Sequence, residues 1–158
     1  MKVIAITGTP GTGKSTLAKL LAKNLRFKKL DLHHYYQEIS TGYDKKKQCY
    51  NIDLRQFIAL VKKESKTKNL IVDSHISHLL PKSIVKLCIV LICSELKELE
   101  RRLRKRKYYK KKIRENLDAE IFQICLIEAK DQGHKIKIVD TAKKNNLKEL
   151  LDKITKSL

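Results

Sequence analysis

GTPGTGKS, residues 8–15, follows directly on KVIAIT, residues 2–7, and opens onto TLAKLLAKNL, residues 16–25. A β-branched run, a glycine-rich turn and leucines at 17, 20, 21 and 25 read as a buried strand, a loop and a helix. The loop satisfies the spacing G-x-x-x-x-G-K-[ST] in full. Gly8, Gly11 and Gly13 let the backbone curl so that successive N–H groups converge, and the helix N-terminus adds positive potential at the same point. That cradle fits the phosphates of ATP. Lys14 is placed to reach the β- and γ-phosphates, Ser15 to ligate Mg²⁺, and Thr16 to touch the chain near the α-phosphate. Gly11, Thr12, Gly13, Lys14, Ser15 and Thr16 are therefore the expected nucleotide contacts. The competing reading is a glycine-rich turn with an incidental lysine.

NLIVD, residues 69–73, supplies a second element: an apolar strand ending in a carboxylate. At the C-terminal edge of a sheet Asp73 would steady the magnesium ion through water, although a carboxylate can also simply cap a strand end. No D-x-x-G follows this strand and no N-K-x-D occurs in the second half, which points to ATP rather than GTP. His75 and His78 lie just beyond Asp73, and His33 and His34 fall in an earlier segment. No cysteine or carboxylate is spaced to complete a zinc site with them. One histidine near the γ-phosphate would position water or an acceptor; a structural histidine is the alternative.

The rest of the chain alternates strands and helices. Strands are expected at 28–30, 69–73, 85–92 and 135–140, and helices at 31–40, 53–63, 95–107, 110–130 and 147–158, with a polar loop over 41–51. Asp31 is a candidate N-cap and Gly133 a helix stop. The alternation implies an α/β fold with a parallel, doubly wound sheet and right-handed crossovers. A length of 158 residues, without a linker rich in Gly, Pro or Ser, suits a single domain over residues 1–158.

Lys and Arg number 36 against 17 Asp and Glu, a net charge of +19. That balance favours polyanionic partners and opposes self-association, but genome-wide lysine bias would produce it too. The cysteines at 49, 88, 93 and 125 form no C-x-x-C pair, and two lie in the apolar run KLCIVLIC, the pattern of buried reduced thiols. No apolar stretch approaches a membrane span, and the strand begins too early for a signal peptide, so an intracellular, cytoplasmic protein is expected.

Residues 100–113, ERRLRKRKYYKKKI, would repel themselves with nothing to bind. They suit a lid whose arginines close over phosphates, though most of these side chains must simply face solvent. The N-terminal P-loop, the short insert at 31–52, the D-S-H of 73–75 and the lid string together resemble the adenylate kinase isoenzyme six family, and the resemblance spans essentially the whole chain. Its most specific part is R-x-Y-x-x-K-K-[IL]-x-x-N-x-x-x-E, matched by Arg106, Tyr108, Lys111, Lys112, Ile113, Asn116 and Glu120.

The resemblance implies a P-loop nucleoside monophosphate kinase fold with five parallel strands, an acceptor-binding insert near 31–52 and a lid near 105–115. It implies ATP + AMP ⇌ 2 ADP, a separate ATPase activity, and a role in maturing the small ribosomal subunit with a ribosomal protein and rRNA, in cytoplasm or nucleus. By the same resemblance Arg106 matches the family's ATP-contacting lid arginine and His75 the histidine of its Walker B motif. Lys14, Asp73, His75 and Arg106 are thus the catalytic candidates, Ser15 and Asp73 serve the metal, and the last loop, 140–144, is expected to pass near the adenine with Lys144 as a contact. Two departures stand out. Lys107 replaces the family's glycine after the lid arginine, and 31–52 contains no arginine to clamp AMP, leaving Arg55 or Lys45–Lys47 as substitutes.

Overall fold

The computed structural model describes residues 1–46, 49–143 and 147–158. Along the chain run β1 (Val3–Thr7), α1 (Lys14–Leu25), β2 (Lys28–Leu30), a 3₁₀ turn (Leu32–Tyr35), α2 (Tyr36–Ile39), β3 (Ser40–Asp44), β4 (Cys49–Ile52), α3 (Leu54–Glu64) and β5 (Leu70–Asp73). A second 3₁₀ turn (Ser77–Leu79) then leads to β6 (Leu87–Ile92), α4 (Leu96–Lys105), α5 (Lys110–Ile121), α6 (Ile124–Asp131), β7 (Ile136–Asp140) and α7 (Leu147–Ser157). Five strands form one parallel sheet in the order β2-β5-β1-β6-β7.

β1 shows why the sheet is covered on both faces. Val3 and Ala5 point into a cluster with Phe57, Leu60 and Val61 of α3 and Leu126 and Ala129 of α6. Ile4 and Ile6 point the opposite way, onto Leu17, Ala18 and Leu21 of α1 and Ile154 of α7. A strand buried on both faces reads as continuous apolar sequence, as KVIAIT does. Because β5 and β6 flank β1, the connections diverge at its C-terminal end and open a crevice there. Gly8 occupies that point.

The structure departs from the sequence expectations twice. The stretch 41–51 is largely an antiparallel hairpin, with Tyr43 opposite Tyr50, Asp44 opposite Cys49, and a register shift between Ser40 and Gly42. Tyr50 stacks on Tyr36 at 4.2 Å between ring centroids and meets Tyr43 edge-on at 5.1 Å. These aromatic contacts span a polar, lysine-rich stretch whose local pattern signals no strand.

The helix expected over 110–130 breaks between α5 and α6, where Gln123 turns left-handed at φ 50°. The break lets α5 direct Ile113 and Glu120 at the end of β6 while α6 directs Leu126 and Ala129 at the sheet. Among the described residues no helix is long and apolar enough to cross a membrane.

Candidate active site

The P-loop is held in shape before any ligand arrives. A Cβ on Gly8 would sit 2.4 Å from the Leu91 carbonyl oxygen, so only glycine lets the loop leave β1 pressed against β6. A Cβ on Gly11 would lie 3.0 Å from Leu99, which shows how closely α4 packs on the loop. Thr12 is buried and its hydroxyl donates to the Thr9 carbonyl at 2.8 Å. Ser15 and Thr16 are exposed at the start of α1.

Lys14 folds back over the loop, its ammonium donating to Gly8 O at 2.7 Å and Thr9 O at 3.0 Å. Burial pushes its pKa down to about 8, the nearby Arg106 guanidinium pushes the same way, and Asp73 opposes them. The charged form of Lys14 is thus under-solvated in the loop. Phosphate oxygens would favour that charged form.

Asp73 ends β5 beside the loop. Its Oδ2 accepts a hydrogen bond from Ser15 Oγ at 2.8 Å, and its Oδ1 lies 3.2 Å from the Lys29 ammonium. His75 stands two residues on, at the cleft wall. Part of its surface faces the opening, yet desolvation by the surrounding protein, with Lys14, His78 and Lys112 adding, pushes its pKa down to about 4. It is therefore a neutral imidazole at ordinary pH.

His78 has the structural role. It is buried, with Nδ1 2.6 Å from Thr7 Oγ1 and Nε2 2.8 Å from Glu128 Oε2, and so ties the end of β1 to α6. Desolvation also lowers its pKa, against the pull of Glu128.

Three cavities meet around Arg106, which lines them all. The first, about 700 Å³, has an apolar floor including Leu17, Leu20, Val139 and Leu150 and a rim of Arg101, Arg102 and Lys105. A second, about 220 Å³, brings Lys14, Ser15, Lys29, Asp73, His75 and Tyr108 together. Beyond it a third, about 780 Å³, is walled by Tyr36, Tyr43 and Tyr50 on one side and by Lys112, Asn116 and Cys125 on the other.

The lid string of the sequence has a structural basis. Lys112 lies over the Tyr108 ring at 4.3 Å from its centroid. Ile113 packs with Leu99, Leu103 and Cys93. Buried Glu120 accepts the Cys93 backbone N–H at 2.7 Å and pins α5 to the end of β6. Lys107 takes a left-handed turn at φ 57°. A lysine there bears the steric cost that glycine avoids, about 1–2 kcal/mol.

Sequence reasoning missed Lys29, Tyr36, Tyr50 and Arg102. Arg102 pairs with Glu98 and donates to Thr141 Oγ1 and O, each at 3.2 Å, joining α4 to the loop after β7. The i,i+4 spacing foreshadows the Glu98 pair but not Thr141. Arg55 and Lys45 line neither the second nor the third cavity. Lys47 and Lys144 lie outside the described residues.

Residues 4–123 match the family model described as AAA domain. A protein of Dictyostelium discoideum named "Adenylate kinase isoenzyme 6 homolog" is 37% identical over 130 residues, covering 81% of this chain and 74% of that one. The chain belongs to the adenylate kinase isoenzyme 6 family.

Archaea hold relatives too: a Pyrococcus abyssi protein named "Putative adenylate kinase" is 38% identical over 142 residues, 90% of this chain and 76% of the relative. In fold the chain is similar to shikimate kinase from Acinetobacter baumannii (TM-score 0.62, 15% identity, 99% of this chain and 92% of that one). Membership makes this chain a P-loop phosphotransferase of the nucleoside monophosphate kinase type.

Proposed function

We propose that the protein transfers the γ-phosphoryl group of ATP to AMP. The observation that carries this reading is the position of Arg106, at the junction of a nucleotide-sized cavity, the P-loop and a tyrosine-walled cavity on the far side. A donor and an acceptor seated in the two large cavities would meet beneath one guanidinium and one ammonium.

The residues present fit Mg²⁺. Ser15 Oγ and Asp73 offer oxygen ligands, while among the described residues no group of three or more His, Cys, Asp or Glu is placed to hold a metal ion by itself. Magnesium suits such a site because it takes most of its ligands from water and phosphate. Bound there, it would neutralise phosphate charge. Lys14 and Arg106 would stabilise charge on the transferred group, and the lid would exclude water. Neutral His75 would orient the attacking group by hydrogen bonding, since a pKa of about 4 leaves little proton affinity for general-base work. Lys144 remains a proposed adenine contact.

A second reading is ATP hydrolysis coupled to assembly of the small ribosomal subunit, with a ribosomal protein or rRNA as partner. It is favoured by the +19 charge and by the lack of arginine across 31–52. Transfer to a different nucleoside monophosphate remains a variant of the first reading.

The deciding experiment follows ADP and inorganic phosphate separately from Mg-ATP, with and without AMP. The proposal expects AMP to drive two ADP per ATP with little phosphate release. Phosphate release at a rate indifferent to AMP would overturn it in favour of the hydrolytic reading.

A further inference from the structure

Any kinase for a nucleoside monophosphate must offset the acceptor's own phosphate charge beside that of the donor. In this chain the insert that should do so supplies no arginine. In the phosphotransfer reading Lys14 and Arg106 act on the transferred group, so the acceptor's own phosphate calls for a further cation.

Among the described residues two further lysines line the cavities on the acceptor side. Lys112 lines only the larger cavity, with its ammonium over the Tyr108 ring. Lys29 lines the small cavity that also contains Lys14, Ser15, His75 and Arg106. It stands on β2 opposite Ile71, with neighbouring Leu30 buried in the core and neighbouring Lys28 paired to Glu64 at 2.6 Å. Its side chain is 23% exposed and lies 3.2 Å from Asp73 Oδ1, whose own side chain is 7% exposed. The carboxylate holds the ammonium at the cavity wall, and an ammonium has three donors, more than one carboxylate oxygen can use.

We propose that Lys29 binds the phosphate of the acceptor nucleotide, replacing the missing arginine clamp from the floor of the cleft. The inference rests on the phosphotransfer reading above and names the residue that would make AMP a better ligand than adenosine. A lysine offers a point charge in place of a bidentate fork, so an arginine at this position should preserve the function.

The test compares wild type, Lys29→Met and Lys29→Arg. Equilibrium dialysis with labelled AMP and labelled adenosine is paired with steady-state kinetics for both substrates. For Lys29→Met the affinity for AMP should fall about tenfold or more, the scale of a charge-assisted hydrogen bond. Adenosine affinity and the KM for Mg-ATP should stay within twofold or so on the same argument, because neither involves the acceptor phosphate. Lys29→Arg should restore AMP binding.

Equal weakening of AMP and adenosine, or no change in either, would overturn the assignment. So would a rise in the KM for Mg-ATP matching that for AMP, which would place Lys29's role in holding Asp73. Should Lys29→Met fail to fold, Lys29→Arg and Lys29→Gln carry the same comparison. A wild-type protein that phosphorylates no AMP would defeat the functional reading itself, whereas AMP turnover indifferent to Lys29 defeats only this inference.

Discussion

The phosphate loop of the cleft is one unbroken stretch of chain, Gly8 to Thr16, set against β6 and α4 and joined to Asp73 by a hydrogen bond from Ser15. The acceptor half is assembled from β2, the Tyr36–Tyr50 segment, the turn at His75 and the α5–α6 break. The phosphate loop owes its path chiefly to local backbone constraints, the acceptor half to packing between distant segments. Changes to the phosphate loop should therefore act on chemistry, and changes to the acceptor half on acceptor affinity.

The largest expected effect is at Lys14. Replacing it with Met should lower kcat by roughly 10²–10³-fold, the scale for removing one preorganised donor to the transferred group. Because the native ammonium is held in a site that depresses its pKa, the melting temperature should not fall. Retained turnover in a coupled ADP assay would end the comparison at its donor side.

Next is the pH dependence of nucleotide binding. Lys14 titrates near 8 in the free protein, and bound phosphates would raise that value. ATP affinity should be level below about pH 8 and fall roughly tenfold per unit above it, with proton uptake on binding. Calorimetry in two buffers of different ionisation heat measures that uptake. No uptake at pH 9 would remove Lys14 from the phosphates.

His75 should behave oppositely in visibility. With its pKa pushed down from 6.5 to about 4, it stays neutral, so activity should show no inflection near pH 6.5. The folded state holds this proton less tightly than the unfolded chain. Its contribution to stability is therefore complete above about 6.5 and is lost as pH falls toward about 4.

On the acceptor side, Tyr50→Ala removes the stack on Tyr36. Aromatic pairs contribute about 0.5–1.5 kcal/mol, so the KM for AMP should rise about two- to tenfold while that for ATP holds. An equal rise in both would show that the hairpin supports the whole cleft. The smallest effect is at Lys107. Lys107→Val should cost about 1–2 kcal/mol in chemical denaturation, because a β-branched residue tolerates the left-handed turn poorly, while Lys107→Gly should stay within about 1 kcal/mol of wild type.

Particular residues show where sequence reading stops. The P-loop was legible because glycine spacing and a following lysine constrain one local backbone path. Asp73 was legible as a strand end, but its partners Ser15 and Lys29 are 58 and 44 residues away and meet it only through the β1-β5 and β2-β5 pairings. His75 and His78 look alike in sequence. Three residues and a tight turn put one on the cleft wall and the other in the core against Thr7 and Glu128. The hairpin was hidden because its tip is lysine-rich and its stabilising contact, Tyr36 on Tyr50, links residues from different elements.

The sequence by itself determined the parallel α/β sheet, the P-loop and the family, since each follows from short-range spacing or from a string of residues along one helix and its lead-in. Only the tertiary structure decided which lysine lines the small cavity beside the P-loop, which histidine is structural, and that Lys107 keeps a glycine's conformation. Those outcomes depend on strand order, on register and on what packs against each side chain, and a linear pattern does not encode how segments 40 or more residues apart come together.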